Sequence, residues 1–162
     1  MTVFKLNKNY KKPYNYFPKN KEQLKTLIRK LICERGVNAN LNDIDTSHIT
    51  DMSYLFWCSN FNGDISKWDV SKVTNMKGMF MRSKFNGDIS KWDVSHVIYT
   101  QCMFYDSLFT AKNGDISGWD VSNIEDMSFM FDCSKFYGDL SKWNIKDDCN
   151  INAYQRYAFK SA

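Results

Sequence analysis

Two columns of aspartates are the residues in this chain whose type and spacing most suggest chemistry. Asp45, Asp69, Asp93 and Asp120 recur at one position of a repeated pattern, and Asp64, Asp88, Asp115 and Asp139 at another. If neighbouring copies pack as adjacent strands, about 4.8 Å apart, each column becomes a ladder of carboxylates. Cation binding is one reading, because hard cations want several oxygen ligands. Mimicry of a phosphate chain, blocking a nucleic-acid-binding protein, is another. Against both, Lys67, Lys91 and Lys142 stand two residues before the Asp69, Asp93 and Asn144 positions and would neutralise the ladder. The aspartates that follow glycine are better explained as turn residues accepting nearby backbone N–H groups, and Ser66, Ser90, Ser117 and Ser141 as side chains that satisfy the same turns.

Other chemistry has less support. His48 and His96 share a repeat position two copies apart, about 10 Å at strand spacing, too far to hold one metal. Cys33, Cys58, Cys102, Cys133 and Cys149 make an odd number with no C-x-x-C pair, and Cys58 and Cys133 read as small, half-buried packing residues. No G-x-S-x-G or phosphate-cradling glycine motif occurs. The expectation is a protein without catalytic residues, metal or cofactor.

Contact residues are sought instead where the copies disagree. Trp57, Met81 and Tyr105, continued by Asp132, fill one column with unlike side chains, and Tyr99 joins them from an irregular copy. A packing position repeats its chemistry, so bulky groups in a varying column resemble the anchors of a protein interface. A second surface is the outward face of the repeated segment: Lys67, Asp69 and Ser71, then Lys91, Asp93 and Ser95, then Asp120. A third comes from charge. Residues 1–35 hold ten Lys or Arg against Glu22 and Glu34, while the remainder holds twelve basic and sixteen acidic residues. Lys11, Lys12, Lys25, Arg29 and Lys30 would serve a nucleic-acid contact, though no aromatic–basic RNA motif accompanies them.

The element that positions all of these is a repeat. Phe61–Ser71 reads FNGDISKWDVS and Phe85–Ser95 repeats it without change, with looser copies at Asn113–Ser122 and Phe136–Ile145. Trp68, Trp92, Trp119 and Trp143 are 24, 27 and 24 residues apart. Such a period predicts stacked copies that share one core. Ile65, Trp68 and Val70 have the I-x-x-W-x-V spacing of a leucine-rich-repeat core, which predicts a short strand with Trp68 and Val70 inward. Met76, Met79 and Phe80 follow at helical spacing and predict a turn or two of helix opposite. Phe56, Phe80, Phe104 and Phe131 form one apolar column, and Phe61, Phe85, Phe109 and Phe136 another. Thr110, Ala111 and Lys112 are inserted in the third copy, and insertions in repeat stacks often emerge on a binding face.

Ahead of the repeats, Asn20 as N-cap with Gln23 three residues on, then Leu24, Leu27, Ile28, Leu31 and Ile32, predict a helix over 21–35 ended by Gly36. Val3, Phe4 and Leu6 suggest a short strand or arm. Ile151, Tyr154, Tyr157 and Phe159 suggest a C-terminal cap. The organisation expected is an arm and capping helix over 1–39, repeats over 40–145 and a cap over 146–162, all in one structural domain.

The pattern M-F-x-x-(C)-S-x-F-N-G-D-I-S-x-W-D-V-S-x-V-x-x-M, over roughly residues 40–145, resembles the BspA-like leucine-rich repeat, the bacterial surface-protein repeat. The resemblance implies a right-handed leucine-rich-repeat fold and a binding role, and brings no catalytic residues. The fold class expected is therefore an α/β solenoid of about four to five coils, 24–27 residues each, with an N-terminal capping helix. The function expected is non-enzymatic binding of another protein through the exposed strand face or the Trp57 row. Nucleic-acid binding through the basic segment, or phage- or effector-type inhibition of an intracellular enzyme, are the alternatives. The chain is expected to be a monomer or a weak end-to-end oligomer. It shows no apolar run long enough to span a bilayer and no apolar leader segment in its first twelve residues, so the cytoplasm is expected, or the cell surface if the sequence is a trimmed mature form.

Overall fold

The computed structural model describes residues 14–110 and 112–152. Val3, Phe4, Leu6, Lys11, Lys12, Ala111, Tyr154, Tyr157 and Phe159 lie outside the described residues.

One helix, α1, spans Lys21–Arg35. The Asn20 side chain accepts the Gln23 N–H at 3.0 Å, and the Gln23 side chain accepts the Lys19 N–H at 2.9 Å, which satisfies donors that the first turn leaves open. Gly36, at φ 89°, ends the helix and donates its N–H to the Ile32 carbonyl. Leu24, Leu27, Ile28 and Leu31 are buried and join the core of the repeats. Arg35 is held at the far end, 3.0 Å from the Asp43 carboxylate and over the Tyr16 ring.

The expected α/β leucine-rich-repeat solenoid is overturned. Among the described residues α1 is the one helix, and there is no strand and no sheet, only isolated parallel bridges. One line of bridges runs from Asp51 to Asn75, Tyr99, Asp126 and Asn150. The backbone bonding explains why it goes no further. The N–H groups of Met52, Tyr54, Phe56 and Cys58 donate to Asn75, Lys77, Met79 and Met81 of the next copy, each at 2.9 Å. The alternate N–H groups of Leu55, Trp57 and Ser59 turn back onto the carbonyls of Met52, Tyr54 and Phe56. Those carbonyls are the ones a parallel sheet would return to its neighbour, so half of the ladder is spent inside the copy.

The same bonds replace the helix expected at Met76, Met79 and Phe80, where Met79 N–H donates to Met76 O and Met81 N–H to Gly78 O in consecutive turns. The turns require left-handed backbone. Tyr54, Gly78, Cys102 and Phe129 hold one such column at φ 55–58°, and Cys58, Arg82, Asp106 and Cys133 hold another at 51–58°. A strand excludes that φ. It also corrects the reading of Cys58 and Cys133 as half-buried packing residues: both are exposed turn residues.

The strand expected at Trp68 and Val70 is likewise a pair of turns. Trp68 N–H donates to Ile65 O at 3.1 Å and Val73 N–H to Val70 O at 2.9 Å. Each turn is capped by an Asp-x-Ser unit: Asp64 accepts the N–H and hydroxyl of Ser66, and Asp69 those of Ser71. Side chains that bond nearby backbone in this way compete with a strand ladder and favour turns.

The apolar columns hold the stacked turns together. Phe56, Phe80, Phe104 and Phe131 stack with centroids 5.5 Å apart at each step. Phe61, Phe85, Phe109 and Phe136 follow at 6.0–6.5 Å. Within a copy the two columns touch, as at Phe80 and Phe85, 4.4 Å apart. The four tryptophans of the repeated segments are core, and each indole N–H has an acceptor in the preceding copy: Trp68 to Leu41 O, Trp92 to Ile65 O, Trp119 to Ile89 O and Trp143 to Ile116 O. A buried indole needs such a partner.

Candidate functional site

The repeated segment offers little free polar chemistry. Asp69, Asp93 and Asp120 accept both the N–H and the hydroxyl of Ser71, Ser95 and Ser122, with Oγ–O distances of 2.6–2.7 Å. The Ser95 hydroxyl and then its N–H hold the Asp93 carboxyl below its ordinary pKa, and the Ser122 pair does the same for Asp120. For Asp64 and Asp126, burial works the other way, but bonds from Ser66 with Asn42, and from Ser128 with Gln101 and Asn150, together outweigh it and leave both carboxyls lowered. Backbone donation from Ser117 and Ser141, with their hydroxyls second, lowers Asp115 and Asp139. Lys67 and Lys91 remain exposed. Among the described residues no group of three or more His, Cys, Asp or Glu gathers to hold a metal ion.

The Trp57 column divides. Trp57 is 53% exposed, whereas Met81, Tyr105 and Asp132 are half-buried. Tyr105 lies beside Cys133, whose charge and hydrogen bond raise the phenol pKa. Tyr99 is exposed on the bridge line, where other copies carry Asp51, Asn75 or Asp126. It therefore does not share Trp57's column.

What surrounds Trp57 comes from α1. A pocket of about 170 Å³ opens between the helix and the turn of residues 54–59. Lys25, Ile28, Arg29 and Ile32 form one wall, and Tyr54, Leu55, Phe56, Trp57 and Ser59 the other. The 3.6-residue period explains the helix wall: Ile28 and Ile32 stack one turn apart, as do Lys25 and Arg29. On the opposite wall the left-handed backbone at Tyr54 and Cys58 turns Trp57 outward while Leu55 and Phe56 enter the core. Tyr54 meets Trp57 edge-on, with centroids 6.3 Å apart and planes at 75°. The next copy supports Tyr54 from below: a Cβ at Gly78 would run into the Tyr54 ring, so only glycine leaves it room to lie there.

The charges of α1 are unevenly satisfied. Lys21 reaches Asp51 at 3.3 Å and the Ser53 hydroxyl at 2.5 Å. Burial works to raise the Asp51 carboxyl, but bonds from Ser53 and the Lys21 charge outweigh it and leave the pKa lowered. Lys30 pairs with Glu34 at 3.8 Å, and Arg35 with Asp43 at 3.0 Å. Lys25 and Arg29, the two cations on the pocket wall, have no ion-pair partner among the described residues. The pocket thus combines aliphatic side chains, three aromatic rings and two positive charges without an ion-pair partner among the described residues.

One member of the varying row, Trp57, and two of the basic set, Lys25 and Arg29, therefore meet at one place, while Met81, Tyr99 and Tyr105 lie away from it and Lys30 pairs with Glu34. Tyr54 and Ser59 are additions. Tyr54 stands in a column with Gly78, Cys102 and Phe129, and that disagreement is the signal that marks it.

The family described as Mycoplasma protein of unknown function, DUF285, matches residues 24–131 and again 106–161. The chain belongs to this family. The first DUF285 match starts inside α1 and contains every residue of the pocket wall. The second overlaps it across the third copy, as internal repetition leads one to expect. No curated protein and no solved structure matches the chain.

Proposed function

We propose that the chain is a non-enzymatic binding module that holds another protein at the cleft between α1 and the turn of residues 54–59. The observation that carries this reading is Trp57, about half exposed beside a preformed pocket whose two cations have no ion-pair partner among the described residues. Tryptophan and arginine lining a pocket are the residue types that dominate protein interfaces. The binding role implied by the BspA-like pattern agrees with it. The outward face of Lys67, Asp69, Ser71, Lys91, Asp93, Ser95 and Asp120 is the weaker candidate, because its aspartates are already bonded to their own serines. A nucleic-acid contact draws on Lys25 and Arg29 too, but the aliphatic floor and the Lys30–Glu34 pair favour a protein side chain over a phosphate track. No helix among the described residues is long and apolar enough to cross a membrane.

The test is a photo-crosslinking amino acid placed at Trp57 and, in a separate variant, at Lys91, each exposed to a lysate of the organism that makes the protein. A discrete protein adduct at position 57, absent at 91 and competed by unlabelled protein, is expected. Adducts at 91 alone, or nucleic-acid adducts at 57, would contradict the reading.

A further inference from the structure

We propose that the cleft takes an acidic, extended segment of its partner in which one large aliphatic side chain lies between two carboxylates. This inference rests on the reading of the cleft as a protein-binding site and names the chemistry that site selects.

Size comes first. Sites for drug-sized ligands and cofactors enclose about 300–1,000 Å³. At about 170 Å³ this pocket has room for a single side chain. Its floor of Ile28, Ile32, Leu55 and Phe56 is aliphatic and aromatic, so the side chain that gains most by entering is apolar.

Charge comes second. Lys25 and Arg29 are spaced i, i+4 on α1, an arrangement in which like charges repel. Three acidic groups at this end of the molecule are committed elsewhere, Asp51 to Lys21, Glu34 to Lys30 and Asp43 to Arg35, and Glu22, in the first turn of α1, does not line the pocket. No carboxylate lines the pocket. An incoming anion therefore relieves the repulsion and displaces no ion pair of Lys25 or Arg29 among the described residues.

Spacing joins the two. Side chains at i and i+4 of a helix have Cβ atoms about 5–6 Å apart. In an extended peptide, residues i and i+2 share a face and are about 6.7 Å apart, while residue i+1 points the other way. A peptide running along α1 would set two carboxylates against Lys25 and Arg29. The residue between them would then point across the cleft toward Tyr54 and Trp57. The recognition unit is acidic–aliphatic–acidic. Trp57 closes over the aliphatic group, and Gly78, by leaving room for the Tyr54 ring that meets Trp57 edge-on, positions that closure.

Trp57 is also the reporter. It is 53% exposed, whereas Trp68, Trp92, Trp119 and Trp143 are 4–7% exposed, so acrylamide quenching reads chiefly Trp57. Capped peptides with Glu-Leu-Glu, Gln-Leu-Gln or Glu-Ala-Glu at the centre, and a short oligouridylate, are titrated onto the full chain while quenching is followed. Glu-Leu-Glu is expected to protect Trp57 at roughly ten-fold lower concentration than either control peptide, with the preference weakening as salt rises. A Lys25→Ala, Arg29→Ala double variant, its fold checked by circular dichroism, is expected to erase the preference over Gln-Leu-Gln. Equal protection by Gln-Leu-Gln would overturn the acidic requirement while leaving a peptide-binding cleft. Protection by oligouridylate alone would overturn both readings in favour of nucleic acid. No protection by any peptide up to millimolar concentration would overturn the acidic-segment proposal, and the crosslink at position 57 then judges the protein-binding reading separately.

Discussion

The repeated segment is built from turns capped by Asp-x-Ser units and the turn beside α1 from turns with left-handed backbone at Tyr54 and Cys58, and the two leave their side chains in opposite states. In FNGDISKWDVS the phenylalanine stacks on its counterparts, the tryptophan donates to the preceding copy, and both aspartates hold serines. In the turn of residues 54–59, Trp57 faces solvent and the facing cations have no ion-pair partner among the described residues. Apart from the exposed Lys67 and Lys91, identity between copies marks residues whose partner is a neighbouring copy or their own turn. Disagreement marks residues released from that duty. The place where a varying column meets a different element, α1, is where free chemistry collects.

Substitutions can break or sharpen that contrast. Phe80 is fully buried and touches Phe56, Phe85 and Phe104, so Phe80→Ala should cost about 3–5 kcal/mol in urea unfolding. A loss below about 1 kcal/mol would mean that the columns do not carry the stack. Gly78→Ala forces a side chain into a left-handed position and into the Tyr54 ring. It should cost about 1–2 kcal/mol and also change Trp57 quenching, which links scaffold to cleft. Asp93→Ala removes two bonds to Ser95 at an exposed turn and should cost about 1 kcal/mol.

Acid should act on the same bonds. Carboxyls lowered in the fold, such as Asp51, Asp64, Asp93, Asp120 and Asp126, bind protons more readily when unfolded. Their stabilisation is therefore complete above about pH 5 and is lost as pH falls through about 4 and below. A thermal melt followed from pH 7 to pH 3 checks this, and a midpoint that rises on acidification would contradict the turn assignments. Trp57→Ala and Lys25→Ala should move stability by no more than about 0.5 kcal/mol while weakening partner capture.

Much of this contrast was legible in the chain. The apolar stripe and the Asn20–Gln23 pair located α1, because a helix is a local, periodic object. The Phe and Trp columns located the core, because stacked copies align equal residues. The backbone of each copy was not legible from apolar spacing alone. I-x-x-W-x-V suits a leucine-rich-repeat strand as well as two consecutive turns, and apolar residues face inward in both. The discriminating signal was polar: Asp-x-Ser recurs at Asp51–Ser53, Asp64–Ser66 and Asp69–Ser71, and each unit bonds its own backbone in place of a neighbouring strand. The left-handed column of Cys58, Arg82, Asp106 and Cys133 carries no glycine to announce it. The cleft required the docking of α1 against residues 54–59, which no local pattern encodes.

The most direct test sets the two regions against each other in one binding assay. Lys25→Glu with Arg29→Glu reverses the charge of the cleft, and Lys67→Glu with Lys91→Glu reverses that of the repeated face. Both pairs are compared with the unaltered chain for capture of the partner recovered by crosslinking at position 57, with melting temperatures recorded alongside. The account predicts that cleft reversal abolishes capture, that the repeated-face reversal leaves it unchanged, and that both proteins melt close to the parent. Capture that survives cleft reversal but is lost with Lys67→Glu and Lys91→Glu would contradict it.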